Sequence, residues 1–135
     1  MQITRQADYA VRAMAYLTQL GPDRRAATSQ IAQEKQIPPS FLAKIVSQLS
    51  VAGLLNTSRG ARGGVSLAKT PNEISLLDVV EAIDGPILLN ECVGDNSDCT
   101  FGESCAIKTV WCDAQFELVS RLRSTTFGQL NVSNN

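Results

Sequence analysis

Residues 39–69 decide the fold of this chain, and they read PSFLAKIVSQLSVAGLLNTSRGARGGVSLAK. Apolar side chains recur at steps of three and four in the first half, which predicts an amphipathic helix over residues 39–52. The second half contains two short strand-like runs, residues 54–58 and 65–69, joined by a tip rich in glycine and arginine. This second pattern predicts a β-hairpin.

Helices are also predicted on both sides of this stretch. Residues 4–20 form an amphipathic pattern that Gly21 ends, and a shorter helix is predicted over residues 29–36. The segment Ser75-Leu76-Leu77-Asp78 is a capping pattern for a helix over residues 75–84. The order helix, helix, basic hairpin predicts a winged helix-turn-helix, which is a mainly α fold with a small β-hairpin as its wing.

The helix over residues 39–52 has a second face that is small, polar or basic, which is typical of a helix that lies in a DNA groove. The hairpin tip adds two arginines that can reach a phosphate or a minor groove, and its glycines let the backbone approach closely. The predicted DNA-binding residues are Ser29, Pro39, Ser40, Ala43, Lys44, Ser47, Arg59, Gly60, Arg62 and Gly63. Taken alone, the tip is equally consistent with a turn in which glycine and arginine serve only solubility and do not contact DNA.

The charges divide sharply along the chain. Residues 1–70 carry nine Lys or Arg against three Asp or Glu, whereas residues 71–135 carry three against ten. A basic half joined to an acidic half is expected of a polyanion-binding head attached to a separate sensing or assembly module. The formal net charge of −1 therefore does not argue against a nucleic-acid partner.

Four cysteines, Cys92, Cys99, Cys105 and Cys112, lie close together in a chain without histidine. Thiolates bind iron–sulfur clusters, zinc and copper(I), so the pattern predicts a soft-metal or redox site. Zinc sites usually contain cysteines two residues apart, a spacing that is missing here. A thiol switch remains open, because neighbouring cysteines can pair under oxidant.

Beyond the cysteines, apolar residues from Ile107 to Leu122 restore a helical stripe that includes Trp111. We expect this long helix to pack on the first helix or on a second copy of itself, and we favour a homodimer because paired heads read two half-sites. Residues 125–135 are expected to be a weakly ordered tail.

Several classes of protein are disfavoured. The absence of histidine excludes Ser-His-Asp and Cys-His catalysis, and no pair of carboxylates has a catalytic motif around it, so the chain is not expected to be an enzyme. The N-terminal residues lack the layout of a signal peptide, and no apolar run is long enough to span a membrane. We therefore expect a cytoplasmic protein without a membrane partner.

From Met1 to about Leu122 the chain resembles the Rrf2 family of bacterial winged-helix transcription regulators. The resemblance rests on IT-x-x-x-DYAVRAM, FLAKIVSQLSVAGLL, SRGARGGVSLAK and ISLLDVVEAIDGP, of which the hairpin SRGARGGVSLAK is the most specific. It implies a homodimer in which helix 39–52 enters the major groove of a double-stranded DNA operator and residues 59–64 contact the backbone and minor groove.

The resemblance also implies that Cys92, Cys99 and Cys105 hold an iron–sulfur cluster, of 4Fe-4S or 2Fe-2S type, that controls DNA affinity. The branch that regulates the isc operon uses a histidine as fourth ligand where this chain has Lys108, which cannot bind iron. The nitric-oxide-sensing branch uses an aspartate from the partner chain, and Asp8 matches that position. The alternative for Asp8 is a solvated helix residue or an ion pair with Arg5 or Arg12.

Two features leave open which branch of the Rrf2 family the chain resembles. The gap between Cys92 and Cys99 is one residue longer than is typical of either branch. Cys112 is an alternative fourth ligand, a resolving thiol, or a small core residue, of which the last is favoured.

Where members of the isc branch often carry Glu-Gln, this chain has Ala43-Lys44, which predicts a different operator, because a lysine in the major groove favours guanine or a phosphate.

Together these features predict two domains. Residues 1–85 would form the DNA-binding domain, and residues 86–135 would contain the cysteine loop, the dimerisation helix and the tail. The predicted function is a transcription regulator whose cluster senses redox state, nitric oxide, oxygen or iron status. The alternatives are the same regulator with a thiol or zinc switch and, less favoured, a small iron–sulfur electron carrier, which would need no polyanion-binding surface.

Overall fold

The computed structural model describes residues 2–21, 23–58, 63–89 and 106–133. These residues form six α-helices, a two-stranded hairpin and a short 3-10 helix, which confirms the predicted fold class. The elements are α1 (Arg5–Leu20), α2 (Thr28–Lys35), α3 (Pro39–Val51), β1 (Leu55–Ser58), β2 (Gly64–Leu67), the 3-10 helix (Pro71–Glu73), α4 (Leu76–Asp84), α5 (Ala106–Ser124) and α6 (Phe127–Ser133).

The ends of the predicted helices agree with these bounds because their local signals are strong. The Thr4 hydroxyl accepts a hydrogen bond from the Ala7 N–H and caps α1. At the start of α4, Ser75 and Asp78 form the predicted reciprocal capping box. Between α2 and α3, Gln36 adopts a left-handed conformation with φ of 53°, which turns the chain from one helix into the next.

The wing is an antiparallel pair in which Leu55 lies opposite Leu67 and Ser58 opposite Gly64. Ala26 forms an isolated β-bridge to the hairpin, since it exchanges two backbone hydrogen bonds with Val65 at 2.8 and 3.0 Å. A Cβ at Gly64 would lie 2.8 Å from the Ala26 oxygen, so only glycine allows this close approach. The base of the wing is therefore anchored to the segment that leads into α2.

One core unites the N-terminal elements. It is built from the inner faces of α1 and α3 with residues of α2, the wing and α4, and its fully buried side chains include Met14, Leu17, Ile45, Leu49 and Val79. Burial of one apolar stripe per helix is what the sequence periodicity predicts. Within the described residues, no helix is both long and apolar enough to cross a membrane.

The expectation of a weakly ordered tail is wrong for residues 125–133. Phe127 is only 1% exposed and lies in the core, where α6 packs on α1. The Phe127 N–H donates to the Ile74 carbonyl at 3.0 Å, and the Leu76 N–H donates to the Thr125 carbonyl at 2.9 Å. The sequence after Thr125 is polar, so it does not predict this helix. The tertiary contacts of one aromatic side chain, Phe127, hold the helix in place.

Helix α5 packs on α4, and it shares one small apolar cluster with Val11 of α1. Its C-terminal half contributes Leu118, Val119 and Leu122 to a small cluster with Leu77 and Val80. In its N-terminal half the apolar side chains are exposed instead, and these are Ile107, Val110 and Trp111. Half of the predicted apolar stripe is therefore uncovered within one chain.

Candidate nucleic-acid interface and cysteine site

Helix α3 has two distinct faces. Leu42, Ile45, Val46 and Leu49 are buried against the core. The predicted DNA-binding residues of this helix lie on the opposite side and are all exposed, namely Pro39, Ser40, Ala43, Lys44 and Ser47. The structure thus gathers on one accessible surface the residues that sequence spacing placed on one face. Except for Lys44, the side chains on this surface are small, so the backbone of the helix can approach a groove closely.

Ser29 is exposed at the start of α2, close in the fold to the N-terminal end of α3. A cavity of about 400 Å³ lies between α2 and α3, and its lining includes Ser29, Pro39 and Ala43. We call this cavity the α2–α3 hollow. Sequence reasoning missed this hollow, because each helix alone shows only part of its wall.

The wing supplies a second part of the surface. Gly63 lies beside β2, whereas Arg59, Gly60 and Arg62 lie outside the described residues. A cavity of about 270 Å³ separates the wing from the start of α2, and Thr28 and Thr57 line it. The sequence did not single out Thr57, although hydroxyl groups of this kind can donate hydrogen bonds to phosphate oxygens.

Asp8 lies on the exposed side of α1. Its carboxylate forms an ion pair with the Arg12 guanidinium at 2.9 Å, and both side chains are about half exposed, at 53% and 49%. Arg12 also lies over the ring of Tyr9, 5.5 Å from its centre, and Tyr9 contacts Phe41 of α3 with ring centres 6.0 Å apart. Asp8 is thus accessible to a second chain, and its neighbours reach α3.

Three of the predicted cluster ligands, Cys92, Cys99 and Cys105, lie outside the described residues. Cys112 is described as a free, half-buried thiol on α5. Among residues 2–21, 23–58, 63–89 and 106–133, no three Cys, His, Asp or Glu side chains are grouped as metal ligands. Next to the cysteine segment, the Gln115 side chain of α5 hydrogen-bonds to the backbone of Ile87 and Leu89.

The sequence matches the Rrf2 family, described as iron-dependent transcriptional regulators, over residues 3–132. The chain belongs to the Rrf2 family. This membership confirms the resemblance and the prediction that the chain is not an enzyme. As an Rrf2 protein it is a DNA-binding transcription regulator with a winged helix fold.

Curated relatives agree with this assignment. The chain is 31% identical to the HTH-type transcriptional regulator IscR of Photobacterium profundum, with 100% of this chain and 78% of the relative covered. It is 32% identical to the HTH-type transcriptional regulator NsrR of Shouchella clausii, with 82% and 74% covered.

Among solved structures, the chain is similar to CymR, the global cysteine regulator of B. subtilis, with a TM-score of 0.86 and 25% identity. That likeness covers 100% of this chain and 99% of CymR. The Rrf2 fold of the chain therefore extends to α5 and α6.

Proposed function

We propose that this Rrf2 protein is a homodimeric repressor or dual regulator whose affinity for a double-stranded operator is controlled by an iron–sulfur cluster. Cys92, Cys99 and Cys105 of one chain and Asp8 of the other would hold the cluster. Helix α3 would enter the major groove, and Arg59 and Arg62 would contact the phosphate backbone and minor groove. A regulator of this kind acts in the cytoplasm, without a membrane partner.

The DNA-binding part of the proposal is supported by the exposed face of α3. Ser40, Ala43, Lys44 and Ser47 stand on a helix whose other side is locked into the core, so the face is presented rigidly. Rigid presentation reduces the ordering cost of binding. With Lys44 in its centre, this face favours guanine over the bases that an acidic side chain would select.

Dimer formation is supported by the N-terminal half of α5. Val110 is 61% exposed and Ile107 is 63% exposed, and the indole of Trp111 lies beside them. Apolar groups that are neighbours on one helix lose contact with water when a second copy packs on them. A two-fold dimer would also present two α3 helices to two half-sites.

The accessibility of Asp8 is the single observation that supports cluster binding between two chains. A carboxylate that lies half exposed on α1 can be reached by a loop of the partner. To bind iron, it would have to give up its ion pair with Arg12. Carboxylate is a weaker ligand than thiolate for a cluster iron, so this iron would stay open to nitric oxide, to oxygen or to loss. The cluster would supply that reactivity, and the protein would convert it into a change of DNA affinity.

A thiol switch is the second candidate. It is favoured by the likeness to CymR, for which an oxidised form from Staphylococcus aureus has been solved, and by the free thiol of Cys112 on α5. Oxidation of cysteines would then replace cluster loss as the signal. A zinc site remains the less favoured variant of this candidate, because paired cysteines are missing from the sequence.

An absorption spectrum with iron and acid-labile sulfide assays distinguishes these candidates on protein purified without oxygen. The cluster proposal expects a coloured protein with equal amounts of iron and sulfide, and the amount per chain gives the cluster type. A colourless protein that stays free of iron and sulfide after reconstitution would exclude the cluster. Thiol titration before and after oxidant, with a zinc assay, would then decide between the other two.

A further inference from the structure

The hollow between α2 and α3 has an apolar interior. Its floor is made of Ile37 and Leu42, which are 2% and 1% exposed, together with Ala32. At its rim lie Ser29, Pro39 and Ala43, three residues of the predicted DNA-binding surface. An apolar depression is thus continuous with the surface that is expected to meet DNA.

The hollow is held open by the turn between the two helices. Ile37 donates its N–H to the Ala32 carbonyl at 2.9 Å, and the N–H of Gln36 bonds to the same oxygen. Pro39 then fixes the first turn of α3. Because these constraints act on the backbone, the hollow exists before any ligand arrives and needs no rearrangement to be filled.

The chemistry of the major groove decides what can fill an apolar depression on this surface. Base edges there present hydrogen-bond donors and acceptors, and the apolar group among them is the C5-methyl of thymine. Small apolar side chains such as alanine are the usual contacts of that methyl. Ala43 is exposed at the rim, and the next residue, Lys44, is a candidate reader of guanine.

We propose that the α2–α3 hollow receives a thymine methyl group in each half-site of the operator, and that Ala43 is the residue that contacts it. The inference rests on the proposed docking of α3 in the major groove. Ala43 and Lys44 would together specify neighbouring positions, the first by an apolar contact and the second by charge and hydrogen bonding. A longer or polar side chain at position 43 would replace this apolar contact and remove the preference.

Deoxyuridine tests the proposal, because it differs from thymidine only by the missing methyl. The full-length protein is used to select its preferred operator from a pool of random duplexes at one fixed salt concentration. Each thymine is then replaced by uracil symmetrically in both half-sites, and dissociation constants are measured. Loss of one buried methyl is worth about fourfold in affinity, so one symmetric replacement is expected to weaken binding on the order of tenfold.

A pair of variants assigns the effect to Ala43. Ala43→Ser is expected to bind the thymine and uracil operators with equal affinity. Ala52→Ser, the same change at the exposed C-terminal end of α3, is the matched control and should keep the full difference. Both variants leave the buried residues of α3 unchanged, so thermal unfolding should be close to that of the parent protein.

The possible failures are distinct. If a preferred operator is selected but no uracil replacement changes its affinity, the hollow does not read thymine and this inference alone is wrong. If Ala43→Ser keeps the full difference, the methyl is read elsewhere and the inference is also wrong. If no duplex is preferred over random DNA, the DNA-reading role of α3 fails as well.

Discussion

The Arg12 guanidinium lies 2.9 Å from the Asp8 carboxylate, one helical turn away on α1. The same guanidinium lies over the ring of Tyr9, and Tyr9 contacts Phe41 of α3. The proposed fourth cluster ligand is therefore connected through packed side chains to the helix that is expected to read DNA. A change of partner at Asp8 can therefore move side chains that contact α3.

Asp8→Ala is expected to leave part of the cysteine-bound iron in place but to uncouple it from DNA affinity. The wild-type protein should change operator affinity on the order of tenfold when the cluster is lost, and the variant by less than about threefold. Iron content and DNA affinity are measured on the same preparations. Glu73→Ala, an exposed acidic residue on the 3-10 helix, is the control. An unchanged response in Asp8→Ala would contradict ligation by this residue.

Val110→Glu is expected to break the dimer. The substitution places a charge where the second copy of α5 should pack, and burial of an unpaired charge would weaken association by about 3 kcal/mol, on the order of a hundredfold. Sedimentation at micromolar concentration measures the effect. Val51→Glu, which changes an 88% exposed valine on α3, should stay dimeric. A fully dimeric Val110→Glu protein would place the interface elsewhere.

Lys44→Ala is expected to relax base preference at one symmetric operator position. A direct lysine contact to guanine is worth about 1–3 kcal/mol of discrimination against the wrong base. Selection from random duplexes shows whether the preference at that position disappears. Equal weakening on all sequences would instead show that Lys44 contacts only phosphate.

Phe127→Ala is expected to cost about 3 kcal/mol or more of unfolding free energy, because the ring is buried in the core and its loss leaves a cavity. Denaturant unfolding measures this cost. Val51→Ala, at an exposed site, should stay within about 0.5 kcal/mol of the parent. A similarly small effect of Phe127→Ala would show that α6 does not stabilise the fold.

Local sequence patterns were sufficient to predict helices α1 to α4. The stripe of α3 and the capping box of Ser75 and Asp78 are encoded within a few residues, so periodicity and capping signals predict them. The wing was predictable for the same reason. Helix α6 was not, because its position depends on hydrogen bonds to Ile74 and Leu76, which lie far away in sequence.

The candidate site could be predicted only where it depends on local spacing along one helix. Spacing alone placed Ser40, Ala43, Lys44 and Ser47 on one face, and the ion pair of Asp8 with Arg12 follows from their separation of four residues on a helix. The α2–α3 hollow could not be predicted, because its walls come from two helices whose packing fixes its shape. Trp111 was expected to be covered, and within one chain it is 40% exposed.

Operator affinity measured before and after removal of the cluster, on one anaerobic preparation and at one salt concentration, tests the central claim most directly. We expect a cluster-bearing protein whose affinity for its selected operator changes on the order of tenfold when the cluster is lost, and regains its first value on reconstitution. The same affinity with and without the cluster would contradict it.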